Sequence, residues 1–514
     1  MNAVAQSSQS NLRNIVTSER AVDFGVAALS AIALALAFPK ANQAWLAPFG
    51  AAGLFWVWQR VSWKRAFWIG WFAGAIFMAI TFSWITNTIG SDLGALSFAV
   101  QAFAALLEGF FIGLAGAAAA VAYRYAHPSF APLAAACAFA VFEWLRSVGE
   151  IGVPFEQLGY TQADTPFGVF AAYVGTFGVT FVLCVFGAYL ASAFAFGRHR
   201  DFIVATFIVL AAWGTCWTLW PARHAPPPTV RVAAIQGNIA QTIKRQSGST
   251  PLAVDRYVGL TRQVRAFRPA LVLWPETVIT DYLDRNANLT ATFGSLARSL
   301  HATLVVGSWD AHDRRAYNAL YVFGTGGKLA GIYDKRQLVP FAESFPAREL
   351  LGWLPDSSLI GGWSNGHADA VFPGPLAFAP LICWESAFAD LAHAQVRNGA
   401  QLLLIATDDA WFGETAGPYQ HAQIAQLRAI ENGMWVLRAA ATGISGIIAP
   451  TGRYTQRTVL DRQAVVLGVV GKPAGSVFAH IGPTPVVAGL FALYVVVLVG
   501  GLVLRQAQND GGGA

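Results

Sequence analysis

The sequence predicts a membrane α-helical bundle of eight transmembrane helices joined to one soluble, layered α/β domain. Three observations carry that expectation. The 514 residues are 55% apolar and only 12% charged, too greasy for a soluble chain of this length. Long uncharged stretches recur through the first 220 residues and once more near the end. Between them lies a segment of ordinary globular composition, in which apolar, β-branched runs alternate with helical patterns.

The uncharged stretches fall at 21–38, 43–59, 66–88, 96–122, 129–146, 168–196, 202–220 and 484–504. Most reach the roughly 17–25 residues a helix needs to cross a hydrocarbon core. The first is read as a span and not as a cleaved signal, because it ends at Pro39-Lys40 without a small-x-small pattern and more spans follow. The expected organisation is a seven-helix region over 1–220, a breaker-rich linker over 221–228, a soluble domain over 229–483, an eighth helix over 484–505 and a tail over 506–514. Glu108 stands alone in the middle of a span. A carboxylate at that depth costs about 2.5–3.5 kcal/mol, so it should face protein, and helix packing is favoured over catalysis.

Basic residues set the expected orientation, since Lys and Arg accumulate in short cytoplasmic loops. With the amino terminus inside, Arg13, Arg20, Arg60, Lys64, Arg65, Arg124, Arg198, Arg200 and Arg505 are cytoplasmic, against Lys40, Arg146 and Arg223 outside. Seven crossings then put the soluble domain beyond the membrane, and the eighth returns the chain. The formal charge of +6 follows from this loop bias and gives no reason to expect a nucleic-acid partner.

Within the soluble segment, apolar runs at 230–235, 271–273, 303–306, 320–323, 376–382, 402–405, 434–439, 447–449 and 465–470 read as strands of a largely buried sheet. Three of these apolar stretches lead into polar residues of distinct chemistry: Glu276 after Leu271-Val272-Leu273-Trp274-Pro275, Lys335 after Gly331-Ile332-Tyr333-Asp334, and Cys383 after Leu381-Ile382. Cys137, Cys184 and Cys216 fall in spans as small apolar filler, so Cys383 is the one cysteine of the soluble segment and has no disulfide partner there. A thiol attacks as thiolate and needs a base, for which Glu276 serves. The oxyanion formed on a carbonyl needs a cation and an N–H, for which Lys335 and the amide of Trp384 serve. Each residue alone has a structural alternative: an inert buried thiol, a helix cap at Glu276, or a solvated charged turn at Asp334-Lys335-Arg336.

The motifs WPET (274–277), YDKRQLVPFAESFP (333–346) and LICWES (381–386), in that order, resemble the Glu-Lys-Cys motifs of the nitrilase superfamily, whose domain is an αββα sandwich. Within it the chain is similar to the bacterial apolipoprotein N-acyltransferase family, through AIQGNIAQ (234–241), YNAL (317–320), TDDAWFG (407–413), GPYQHAQIAQLRAIENG (417–433), Gly159-Tyr160 and the eight-span plan. The resemblance implies Glu276 as general base, Lys335 as the cation at the tetrahedral intermediate and Cys383 as nucleophile, with Glu343 and Glu385 as supporting acids. It implies a phospholipid acyl donor, a diacylated apolipoprotein acceptor, and an inner-membrane enzyme whose catalytic domain lies in the periplasm. Departures from the family pattern occur at Arg245, at Asp408, where Asn is usual, and at Trp384, where Tyr is frequent. Phe341, Phe345, Trp353, Trp411 and Phe412 are candidate substrate-facing or lid residues, with domain core as their alternative; Gly361-Gly362-Trp363 is a hinge or a tight turn. No cofactor motif and no ligand-spaced histidine pair is expected. Two other classes compete: a membrane-tethered amidase acting on a small substrate, and a transporter or sensor whose soluble domain only binds.

Overall fold

The computed structural model describes residues 2–246, 248–344 and 362–511. The membrane region comprises α1 (Asn2–Leu36), α2 (Leu46–Trp58), α3 (Trp63–Thr81), α4 (Trp84–Leu93), α5 (Leu96–Tyr125), α6 (Ala131–Leu145), α7 (Ala171–Phe196) and α8 (His199–Thr218). Among the described residues, four helices are long and apolar enough to cross a membrane, or five if the bent pair α3 and α4 is one span. The helices α2 and α6 are shorter apolar helices, of 13 and 15 residues. The third expected span, 66–88, is corrected: it breaks after Thr81 and turns by 70° into α4. The break falls where Ser83, Thr86, Asn87, Thr88, Ser91 and Asp92 replace the apolar run.

Glycine allows the closest helix crossing. A Cβ on Gly74 of α3 would stand 2.7 Å from the backbone of Gly109 on α5, and one on Gly109 would stand 2.5 Å from the Ala75 nitrogen. Gly70, Gly74, Gly109 and Gly113 thus form facing small-xxx-small ridges, the arrangement that lets backbones pack where apolar burial gives helices no drive to associate.

The described residues of the soluble segment form twelve strands: β1 (Val230–Gln236), β2 (Leu271–Leu273), β3 (Ile279–Tyr282), β4 (Thr303–His312), β5 (Arg315–Phe323), β6 (Leu329–Asp334), β7 (Phe378–Ile382), β8 (Leu402–Thr407), β9 (Trp435–Ala440), β10 (Gly446–Ile448), β11 (Tyr454–Arg457) and β12 (Ala464–Val470). Its helices are α9 (Gln241–Lys244), α10 (Ser249–Gln263), α11 (Ala287–Leu300), α12 (Ala389–Arg397), α13 (Gly417–Asn432) and α14 (Phe478–Ile481), and the long apolar α15 (Pro483–Gly511) packs back on α6 and α7. One sheet runs β12-β1-β2-β4-β5-β6 with β3 beside β4; the other runs β11-β10-β9-β8-β7.

Three apolar clusters define four layers. Val232, Leu271 and Val305 of the first sheet pack with Ile382, Leu404 and Leu437 of the second. Outside the first sheet, Tyr257 and Leu260 of α10 and Phe293 and Leu296 of α11 pack on Ala233, Val272 and Leu304. Outside the second, Ala392 of α12 and Ala425 and Ala429 of α13 pack on Leu381, Leu403 and Val436. This is an αββα sandwich, with strand alternation feeding both faces of each sheet. The expected runs recur as strands; β3, β6 and β11 add exposed or half-buried strands whose side chains gave weaker apolar signals.

The sandwich is not hung on its linker at a distance from the bundle. Trp384, Ala387, Phe412, Ile424, Leu427 and Ile430 belong to the same buried cluster as Phe55, Phe77, Phe139 and Val179 of the membrane helices. Polar contacts cross as well: Thr176 donates from N and Oγ1 to Glu431 Oε1 at 2.8 and 2.5 Å, and Tyr160 OH donates to Ala387 O at 3.2 Å.

Candidate active site

The parallel strands β7, β8 and β9 of the second sheet end together, and Cys383 follows β7 directly. That residue opens a 3-10 turn, Cys383–Ala387, and holds φ +50. A left-handed backbone at a residue other than glycine costs of order 1–3 kcal/mol and persists only where surroundings over-determine it. The turn lifts the thiol out of the strand line. Its sulphur is packed against the core between the sheets and is half-buried. Burial, and then the charge of Glu276, push the thiol pKa well above its ordinary value, with Lys335 pulling the other way. The Cys383 side chain is therefore held as a neutral thiol.

Lys335 lies between two carboxylates. Its Nζ donates to Glu276 Oε1 and to Glu343 Oε1, both at 2.9 Å, and its side chain is 1% exposed. Burial works against the ammonium, but Glu276 and Glu343 outweigh it and hold the lysine pKa well above the usual range. Burial likewise opposes the Glu276 charge, yet Lys335 leads a set of donors that hold its carboxyl below its usual value. Those donors are Asn318 Nδ2 at 2.7 Å on Oε1 and the Asp408 N–H at 2.9 Å on Oε2. Glu343 also accepts from the Val339 N–H at 2.8 Å, which ties the segment after Lys335 to the site.

Glu385 and Trp384 continue the turn. The Glu385 carboxylate accepts from Ile382 N at 2.7 Å, Arg336 N at 2.6 Å, Gln337 N at 3.2 Å and the Tyr333 hydroxyl. It therefore fastens the strand that delivers Cys383 to the one that delivers Lys335. Trp384 turns its ring into the bundle, stacked on Phe155 at 4.9 Å and 15°. Phe155 is held by Arg146, whose Nη2 donates to its carbonyl at 2.6 Å while Nη1 pairs with Glu108 at 3.2 Å. Glu108 thus has an ion-pair partner at the end of the next helix, in accord with a packing role.

Two of the three departures from the family pattern, Asp408 and Arg245, form ion pairs. Asp408 accepts from Lys244, and Arg245 forks onto Asp92 of α4 at 2.7 and 3.0 Å while its guanidinium lies 4.8 Å from the Trp411 ring centre. Of the candidate lid residues, Phe341 is half-exposed with φ +62 and Trp411 is partly exposed. Phe412 is buried against Trp84 at 4.9 Å, inside the membrane cluster and not at an opening. Phe345, Trp353 and Gly361 lie outside the described residues; Trp363 packs on Trp309 at 5.8 Å.

The sequence reading did not single out Asn318, Tyr333, Thr407, Asp409, His421 or Arg438. All but Arg438 lie inside quoted motifs, but a polar residue there carries no chemistry until its partner is known. As to metals, one cluster among the described residues, Asp310, His312 and Asp334, brings ligand atoms within 4.8 Å of one another. His312 already bridges those acids, at 2.8 Å to Asp310 and 3.7 Å to Asp334, which raises its pKa and balances their charge.

Two family models match the chain: the apolipoprotein N-acyltransferase N-terminal domain over residues 30–189 and carbon-nitrogen hydrolase over residues 231–467. The second accords with the αββα sandwich. Among curated relatives, the apolipoprotein N-acyltransferase of Methylococcus capsulatus is 31% identical over 464 residues, covering 87% of this chain and 89% of that one. That of Pseudomonas putida is 32% identical and covers 80% and 83%, and that of Azotobacter vinelandii is 33% identical and covers 79% and 81%.

Proposed function

This chain belongs to the apolipoprotein N-acyltransferase family, and from that premise we propose a covalent relay: it takes an acyl chain from a phospholipid, holds it on Cys383 as a thioester, and passes it to the α-amino group of the lipidated amino-terminal cysteine of an apolipoprotein. The observation that carries this reading is Lys335 held between Glu276 and Glu343, with Cys383 near enough to feel the charges of Lys335 and Glu276.

As the sulphur attacks the donor ester carbonyl, its proton passes to Glu276. The C–S bond forms, and the carbonyl oxygen takes up negative charge beside Lys335 and the Trp384 N–H. Collapse breaks the ester C–O bond, and Glu276 returns its proton to the departing lysophospholipid alkoxide. In the second half the acceptor amine attacks the thioester, Glu276 takes the amine proton, and the thiol leaves with it. Asn318 and the Asp408 N–H keep Glu276 ionised and oriented for both transfers.

Both substrates are lipids, which explains an enzyme sunk into a helical bundle. The reading includes eight crossings in the bacterial inner membrane, with the catalytic domain in the periplasm. The apolar segments at eight places, with seven before the domain, and the nine-to-three division of basic residues support it.

The test is donor alone. With phospholipid and no acceptor, the intact mass of the purified protein is expected to rise by one acyl group, which neutral hydroxylamine removes. Cys383→Ser should form no hydroxylamine-labile adduct. Glu276→Gln should load about 10²–10⁴-fold more slowly for want of a base. Lys335→Met should lose about 10²–10³-fold through the oxyanion. A diacylated lipopeptide with a free amino terminus should discharge the wild-type adduct into an amide. If water discharges it faster than the amine does, the protein is a membrane-tethered amidase.

A further inference from the structure

The two oxygens of Glu276 are held differently. Oε1 accepts from Lys335 Nζ at 2.9 Å and from Asn318 Nδ2 at 2.7 Å, which fills its two lone-pair sites. Among the described residues, Oε2 accepts one donor, the Asp408 N–H at 2.9 Å. Oε2 therefore keeps a free lone pair, and it is the oxygen able to receive a proton. Its orientation depends on the chain just beyond β8, since Asp408 directly follows Thr407.

The Asp408 side chain brings a difficulty to that anchor. Its carboxylate is 1% exposed, and the Ala410 N–H that caps it stands at 3.3 Å. A carboxylate buried this deeply needs a cation beside it. Lys244 supplies one: its Nζ donates to Asp408 Oδ2, and also to the hydroxyl of Thr277 at 2.7 Å. Thr277 is the residue after Glu276 and holds φ +45, a left-handed backbone that persists only where its surroundings fix it. One ammonium, on a side chain 11% exposed, thus grips the residue next to the base in sequence and the residue whose N–H holds the oxygen with the free lone pair. Arg245 anchors the same turn from the other side, on Asp92 of α4. Asn, usual in the family at position 408, would bring no charge and need no such cation.

We propose that Lys244 is a positioning residue for the general base: by pairing with Asp408 and holding Thr277, it keeps the Asp408 N–H on Glu276 Oε2 and so fixes the carboxylate in one orientation for proton transfer. This rests on Glu276 being the base of the proposed reaction. Lys244 acts through its two partners and takes no part in bond making.

The test is a mutant cycle in the full-length protein: wild type, Lys244→Met, Asp408→Asn and the double variant. Each is read by acyl loading over a donor titration and by hydrogen exchange of the Asp408 amide. Lys244→Met leaves the Asp408 charge buried without its cation. Its kcat for loading should fall about 10–100-fold, with KM for donor within about threefold of wild type. Exchange at Asp408 should speed by about tenfold or more, while the amides of β8 and β9 stay protected. Adding Asp408→Asn removes the charge and keeps the N–H, so the double variant should recover most of both losses. A merely structural role predicts the opposite, because the second substitution would add to the first and loading would follow the melting temperature. Should Lys244→Met not fold, Thr277→Val and Thr277→Ser decide: loss of the hydroxyl should slow loading about three- to tenfold, and its retention should preserve it. Wild-type kcat in Lys244→Met, a double variant as slow as Lys244→Met, or wild-type loading in Thr277→Val overturns the proposal. Hydrogen exchange requires no lipid, so a wild-type protein that never forms an acyl adduct would sink the acyltransfer reading while the hold on Glu276 is still measured.

Discussion

Every polar partner of Glu385 donates to it: the Tyr333 hydroxyl and the N–H groups of Ile382, Arg336 and Gln337. Only the carboxylate satisfies them all, since a protonated acid turns its own O–H against one. Burial nonetheless pushes its pKa up to about 7, with the backbone N–H groups opposing. A raised pKa means that the ionised form these donors need is gained only as pH rises through that value. Acyl loading, followed by intact mass at short times, is therefore expected to climb with pH and flatten above about 7. Glu385→Gln sets an NH2 against the donors and leaves one or more unsatisfied; at about 1–3 kcal/mol for a buried unpaired group, loading should fall roughly 10–100-fold and the break should vanish. A break that persists near 7 in the variant would assign it to another group. At this scale the sequence was most legible where chemistry sits at strand ends. Glu276, Lys335 and Cys383 could be picked out because each breaks an apolar run. Thr407, Asp409, His421 and Arg438 could not, because β8, α13 and β9 bring them together only in the folded sandwich.

Among the elements, α4 is where the hydropathy reading and the structure part. A window average carries the third span across Phe82, but the polar residues beyond it have partners on the sandwich: Asn87 Nδ2 donates to Phe412 O at 3.1 Å, and Asp92 holds Arg245. The Asp92–Arg245 pair is about 40% exposed on each side, so by itself it contributes only about 0–1 kcal/mol. The tighter constraint is Gly413, at φ +56 and ψ −153, where an added Cβ would stand 2.6 Å from Asn87 Nδ2. That backbone region is essentially closed to other residues. Gly413→Ala is expected to cost about 1–3 kcal/mol in thermal stability, and acyl loading should fall as Trp411 and Phe412 shift. Adding Asn87→Ala should recover only part of the loss, because it relieves the contact and not the backbone. A single mutant with wild-type melting and loading would show that α4 and the loop are not seated together. The strands were read better than the helices' lengths for a physical reason: β-branched apolar runs end at polar residues, whereas α2 and α6 stop at 13 and 15 residues within longer apolar stretches.

For the whole molecule, composition foretold a bundle and a sandwich, but not that one would be sunk in the other, since contacts such as Thr176 with Glu431 and Tyr160 with Ala387 join residues more than 200 positions apart. The structure also gathers the basic residues by end. Arg124 and Arg505 lie over the same Tyr125 ring, Arg198 donates to the carbonyl of Pro128, which follows Tyr125 by three residues, and Arg60 and Arg65 share Asp23. These all belong to the set expected inside. From the opposite set, Lys40 donates to Glu414 O of the catalytic domain and Arg146 holds the Phe155 loop beneath Trp384. One end of the bundle is therefore basic and the other meets the sandwich that holds the candidate active site, which is the asymmetry that orients a multi-span protein with Lys and Arg in the cytoplasm. A reporter active only outside the cytoplasm, fused near the exposed turn at Gly326, is expected to be active, whereas one fused after Arg200, between α7 and the body of α8, should be silent. The reverse pattern would put the thiol in the reducing cytoplasm. It would overturn both the orientation and the periplasmic placement of the sandwich.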